Sequence, residues 1–408
     1  MSEAETLDDD FVLRQLTPAT DMAELSPAPL RRDDHERLQE SIDSCMNLFK
    51  QHRGLSDSAP ELKLLRRGLD IVGKTLAFEG ALKLFERVIE SDWLAHVGLL
   101  KEKRYRDHIT HPVRVTAIGW WLLHRNQSSL LILMAEDYER TTRRYVDKHG
   151  IDLGGRDWKS IVEYAWLACG LLHDSAYPFE YHLRFGARLG ASDSLRLIVP
   201  SPETFRGRGP ARAVMLRLAG SWLQAQRLCL RRRLADLPEH DFKHSHALLG
   251  GLLHAAVTSD PLPSLRGLVR QLAARAIFTH HDADNGLIKS DPLAHLLFVA
   301  DNLQFWGRPF VHTSANPSGG HVLRTLVECK RIEMEPRGEG YLARLVMNDA
   351  EEDMTALKAK PYTWTFGSFQ EPNQRLQSLL AARGGLPHIE LSLRECISPA
   401  EFLLFMER

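Results

Sequence analysis

Of the 408 residues, 19 are histidines, and a few stand where a solvated imidazole is not expected. The apolar run from Ala165 to Phe179 ends abruptly in His173 and Asp174. Asp301 interrupts Leu296-Leu-Phe-Val-Ala-Asp-Asn-Leu303, where a carboxylate is costly to bury unless it is paired or bound to a metal. His111 opens one apolar stretch, His246 stands early in Lys243–Leu253, and His280 and His281 close the stretch 264–281. Taken singly, each has a plainer explanation: a helix cap, a hydrogen-bonded core histidine, or an Asp301 paired with an arginine such as Arg308. The dipeptide His-Asp also recurs at His240-Asp241 and His281-Asp282. Taken together and in this order, the residues point to a metal centre. Imidazole nitrogens and carboxylate oxygens without thiolates suit Mn, Fe, Co, Ni, Zn or Mg.

Ligands so far apart in the chain meet only if several helices converge, as in a bundle whose facing helices project side chains inward. Such helices are legible. From Asp34, Leu38, Ile42, Met46 and Phe49 recur at helical spacing, Gly54–Pro60 breaks the pattern, and amphipathic helix resumes over 62–100. Thr110 can cap a helix with His111 and Pro112 in its first turn. Further helices are expected over 129–148, 157–173, from Lys243, over 264–281 and from Asp291 towards Pro309, with a turn at Gly150–Gly155. Gly250 and Gly251 would allow close packing against a neighbour. The pattern changes after about residue 318. Val327–Pro336 and Gly340–Met347 alternate as a β-hairpin, followed by a helix at 371–383, a strand at 388–394 and a last helix at 398–406. The expected fold is therefore mainly α, with a mobile N-terminal tail (1–32), a helical domain (33–317) and a small C-terminal α+β unit (318–408).

Composition bounds the function. A formal net charge of −1 does not indicate non-specific nucleic-acid binding. Five scattered cysteines suggest neither a disulfide framework nor a thiolate zinc site. No apolar run approaches membrane-spanning length, so a cytoplasmic protein with no membrane partner is expected, and homo-oligomerisation is left open.

The order His…His-Asp…Asp resembles the HD superfamily of metal-dependent phosphohydrolases, over about residues 100–310. Ile109-Thr-His-Pro-Val-Arg-Val115 looks like its first histidine motif, Gly170-Leu-Leu-His-Asp174 like its signature, and Phe298-Val-Ala-Asp-Asn-Leu303 like its closing aspartate motif. The resemblance implies an HD-type helical bundle in which His111, His173, Asp174 and Asp301 bind metal. His246 resembles the additional histidine of members holding two or more ions, and Thr279-His280-His281 their paired-histidine motif, with His280 or His281 as the ligand. Where that family often has Ile-Gly-His after the aspartate, this chain has Ser175-Ala-Tyr177, and it lacks the Gly-Tyr-Pro signature of the cyclic-dinucleotide branch. The implied activity is hydrolysis of a small-molecule phosphoester, a nucleotide first among the candidates, by water activated on one or two divalent ions. Asp174 would bridge the ions, and His281, Asp282 or Asp284 would handle protons. Arg114, Arg308 or the arginines of 206–233 would hold phosphate. Two other readings fit the ligand order: an HD-family di-iron oxygenase, and a nucleotide-binding sensor or scaffold that keeps the metal but does no chemistry.

Overall fold

The computed structural model describes residues 5–25, 32–78, 80–90, 108–124, 129–176, 247, 250, 251, 254, 264–280, 291–304, 306, 309–315, 322–337, 340–347, 390–398 and 401–407. These residues are mainly helical. Helices α1 (Asp9–Thr20), α2 (Arg32–Arg53) and α3 (Pro60–Asp70) come first, and α3 runs on into a π-helical turn, Ile71–Thr75. Residues 80–90 are also helical. Then come α4 (His111–His124), α5 (Ser129–His149), α6 (Trp158–Leu172), α7 (Leu265–Thr279) and α8 (Pro292–Leu303). Among the described residues no helix is long and apolar enough to cross a membrane.

Helix ends follow from local side chains. Asp157 caps α6 by accepting from Ser160 N at 2.9 Å, and Ser264 caps α7 by accepting from Gly267 N at 3.0 Å. The Thr110 carbonyl takes the first α4 bond, from Arg114 N at 3.1 Å, which puts Thr110 at the N-cap position. After α5, Gly150 turns left-handed at φ 59°, while Gly150 N and Ile151 N return to the carbonyls of Asp147 and Val146. That double bond, with Ile151 and Val146 both buried, is a Schellman stop.

Helices α4 and α6 cross almost backbone to backbone. Trp166 is fully buried over Gly119, and its indole Nε1–H donates to the Thr116 carbonyl at 3.0 Å. Gly170 in turn faces Thr116, where a Cβ would come within 2.6 Å of Oγ1. A buried polar knot ties α5, α7 and α8: Tyr138 O–H donates to Asp291 Oδ1 at 2.5 Å and Arg275 Nε to Asp291 Oδ2 at 2.5 Å. Asp291 Oδ1 also accepts from Leu293 N and Ala294 N, so one carboxylate caps α8 and fixes its direction.

The sheet is antiparallel. Strands β1 (Glu5–Leu7), β3 (Val322–Arg337), β4 (Gly340–Met347), β6 (Glu401–Glu407) and β5 (Glu390–Ser398) pair in that order, and β2 (Pro309–Ala315) pairs with β3. The β3–β4 hairpin turns at Arg337/Gly340, as the alternation around Arg337-Gly-Glu-Gly340 predicts.

Three expectations need correction. Of the expected mobile tail, 1–32, residues 5–25 are packed into the fold. Strand β1 pairs Glu5 with Met334 and Leu7 with Ile332, and α1 buries Phe11, Val12, Leu16 and Ala19 completely. The apolar face of one short helix, spread through a polar-looking segment, supplies the anchorage. The boundary at 317/318 falls between β2 and β3, which pair, and Ile332 and Met334 share the core of the helices. Finally, 401–407 is a strand: Phe402 to Met406 is too short an apolar run to choose helix by periodicity, and pairing with β4 and β5 decides it. The helix expected at 371–383 lies outside the described residues.

Candidate metal centre

His173 and His280 occupy the C-cap positions of α6 and α7. Each ring is tied to its own helix: His173 Nδ1 lies 2.8 Å from the Gly170 carbonyl, and His280 Nδ1 2.6 Å from the Ile277 carbonyl. A carbonyl only accepts, so each Nδ1 carries the proton and each Nε2 keeps its lone pair. The bonds also satisfy carbonyls left over at the helix ends. Both rings are fully buried and meet edge to face, 5.6 Å between centroids. Two helix C-termini, the negative ends of their dipoles, thus face the same place and favour a cation there.

His111, at the start of α4, is held differently. Its Nδ1 lies 2.7 Å from Gln304 Oε1 at the end of α8. Gln304 Nε2 donates to the Trp306 carbonyl, which fixes the amide with its oxygen towards His111. His111 is therefore also protonated at Nδ1, and its Nε2 lone pair faces the carboxylates: Asp301 Oδ1 at 2.9 Å and Asp174 Oδ2 at 3.6 Å. The His111 and His173 rings are 5.3 Å apart.

Asp174 follows the end of α6 and is buried. Its Oδ1 lies 3.5 Å from His173 Nε2, and its Oδ2 accepts from His108 Nδ1 at 3.0 Å. Burial alone pushes the Asp174 carboxyl up, but His173, the hydrogen bond from His108 and the His111 imidazole hold it well below the usual carboxylate range.

One atom each of His111, His173 and Asp301 lies within 4.8 Å of the other two, a group able to hold a metal ion. The fit rests on chemistry as well as spacing. His173 Nε2 is buried and has no hydrogen-bond partner among the described residues. The atoms that converge are imidazole lone pairs and carboxylate oxygens, a set of acceptors that a cation satisfies.

The structure thus brings together His111, His173, Asp174 and Asp301, with His280 beside His173. His246, His281, Asp282, Asp284, Arg308 and the arginines of 206–233 lie outside the described residues. Gly250 does pack closely, as its sequence suggests: a Cβ there would come within 3.1 Å of the His173 carbonyl, and one at Gly251 within 2.8 Å of the Ala274 carbonyl.

Arg114, expected to hold phosphate, is buried against α1, where Nε and Nη2 reach the two oxygens of Asp9 at 2.8 and 3.0 Å. A phosphate would have to displace that carboxylate, so the guanidinium is better explained as a clamp between α1 and α4.

Sequence reasoning missed His108 and Gln304. His108 stands in the polar segment Arg104–His108, which carries no apolar pattern. Gln304 did leave a signal, three positions beyond Asp301 at the end of the same apolar run. Ser175 Oγ is also buried without a hydrogen-bond partner among the described residues, next to the His-Asp pair. No protein-family model, curated protein or solved structure matches the chain.

Proposed function

We propose that this chain is a divalent-metal-dependent phosphohydrolase of the HD type, acting on a small phosphoester such as a nucleotide. The observation that carries the reading is the 2.9 Å approach of His111 Nε2 to Asp301 Oδ1 while His111 Nδ1 donates to Gln304. A lone pair and a carboxylate oxygen at that separation call for a positive charge, and His173 Nε2 and Asp174 offer donors to the same charge. That these residues also stand in the order His…His-Asp…Asp, which resembles the HD superfamily, turns a cation site into a proposed hydrolase.

His111, His173, Asp174 and Asp301 would hold the ion, and His280, whose ring meets that of His173, would be a ligand of a second. The ion would supply a nucleophilic water at neutral pH and offset negative charge on the phosphoryl group. The chain's own groups do the rest. His108 holds Asp174 in one orientation, and the back-bonds of His173 and His280 keep the lone pair of each ring on Nε2. Burial of the histidines keeps bulk water away from the donors. Asp301, with its side chain 18% exposed, is the least buried of the four and marks the side from which substrate would enter.

The test is a nucleotide and phosphoester panel with metal-stripped protein resupplied with Mn, Mg, Co or Ni. Phosphate, pyrophosphate or triphosphate release that requires metal, and that Asp174→Ala abolishes, is the expected outcome. Identical traces for wild type and Asp174→Ala with every metal would end the hydrolase reading. Retained iron with oxygen-dependent turnover would favour the di-iron oxygenase, and nucleotide binding without turnover would favour the sensor.

A further inference from the structure

The hydrogen bonds behind His111 run unbroken to the N-terminal segment. His111 Nδ1–H donates to Gln304 Oε1, and Gln304 Nε2–H donates to the Trp306 carbonyl. Trp306 Nε1–H donates to Asp9 Oδ1 at 3.0 Å, the oxygen that also accepts from Arg114 Nε. Arg114 stands three residues after His111 on α4, so the loop closes on the helix from which it started. Gln304 is fully buried and Trp306 nearly so. Asp9 begins α1, whose preceding strand β1 is fastened to β3, and Phe11 packs edge-on against Trp121 of α4 at 6.1 Å.

We infer that Gln304 is a positioning residue for the metal centre and that Asp9, acting through Trp306, holds Gln304 in place. The inference rests on the metal-site reading of His111. A ring turned about its Cβ–Cγ bond would present a C–H to Asp301, and one carrying its proton on Nε2 an N–H, instead of a lone pair. Gln304 prevents both, because its oxygen can only accept and its NH2 is engaged by Trp306. The segment that looks least structured in the sequence thereby completes the support of the first ligand. Partners of this kind behind a metal-binding histidine typically change metal affinity about 10- to 100-fold when removed.

The experiment uses the full chain labelled with 15N-histidine, with the His111 ring signals assigned by their loss in His111→Gln. Ring 15N shifts are read without added metal, and Co2+ affinity is then measured by calorimetry. Wild type should show His111 in the Nδ1–H form. Gln304→Met should lose that pattern and bind Co2+ about 10- to 100-fold more weakly. Trp306→Phe removes the indole donor, keeps a buried aromatic ring and the backbone carbonyl that holds Gln304, and leaves the Asp9–Arg114 pair that supports the fold. It should shift the same ring signals in the same direction and weaken binding by a smaller factor. Wild-type shifts and affinity in Gln304→Met would overturn the inference, and the same result in Trp306→Phe would overturn the role of Asp9. A wild type that shows the Nδ1–H form yet takes up no Co2+ would sink the metal reading instead.

Discussion

Gly119→Ala tests the crossing on which the metal centre stands, and its sign alone is informative. In an open helix, replacing glycine by alanine stabilises by about 1 kcal/mol. Here the new Cβ would lie 1.8 Å from Trp166 Cζ2, 2.4 Å from Cη2 and 2.5 Å from Cε2. No real carbon contact is that short, and a fully buried indole, tied to the Thr116 carbonyl, has no free space into which to turn. Overpacking costs about 1–3 kcal/mol, and overlap with three ring atoms belongs at the upper end. Setting about 3 against about 1 leaves a net loss of about 2 kcal/mol. Urea unfolding followed by circular dichroism would measure it. Relief should come from the partner: Trp166→Phe shortens the ring system that the methyl strikes, so the double variant should be more stable than the two single losses predict, by about 1–3 kcal/mol. If Gly119→Ala proves as stable as wild type or more so, α4 and α6 do not meet as described. The same variant, by wedging apart the helices that carry His111 and His173, should also weaken Co2+ binding.

Other consequences are equally open to measurement. Asp291→Ala would strand the nearly buried Arg275 guanidinium and should cost about 3–5 kcal/mol in denaturant unfolding; Tyr138→Phe, which removes one hydrogen bond, should cost about 1–2 kcal/mol. Burial, and then the Asp157 charge, raise the Glu163 carboxyl to about 7, while burial lowers His124, whose Nε2 lies 3.3 Å from Glu163 Oε1. The folded chain therefore binds a proton at Glu163 that the unfolded chain has released, so wild type should lose stability as pH rises from about 4.5 through about 7. Glu163→Gln, which removes the titrating carboxyl and keeps its size, should flatten that part of the profile; an unchanged slope in pH-dependent melting would contradict the assignment. Arg114→Ala should lower stability and leave the Michaelis constant for any phosphoester substrate within about twofold of wild type, whereas loss of a phosphate-binding arginine would raise it about tenfold or more.

What could be read in the sequence follows from contrast. His173, Asp174 and Asp301 stand out because polar groups that end or interrupt apolar runs need a reason, and the helices carrying them show strong periodicity. His108 and Gln304 act only through partners: a hydrogen bond across 66 residues and another across 193 leave no local trace. Asp9 was hidden for another reason. Its segment is acidic, then rich in proline and serine, and composition outweighed the four apolar positions of α1 that the fold buries. The strand at 401–407 shows the converse, since its residues fit a helix or a strand and only the edge of β4 decides.

Strand β1 also sets the order in which this protein can be made. It leaves the ribosome well before its partners Ile332, Glu333 and Met334, and Asp9 finds Trp306 only across 297 residues of chain. Pairings of such separation form late, after the loop between them has closed. During synthesis residues 5–20 must therefore wait undocked, with Phe11 and Leu16 uncovered, until Trp306 and strand β3 have emerged. Docking of that segment is then among the last events of folding, and the hydrogen-bond chain behind His111 is completed only when Asp9 and Trp306 have met.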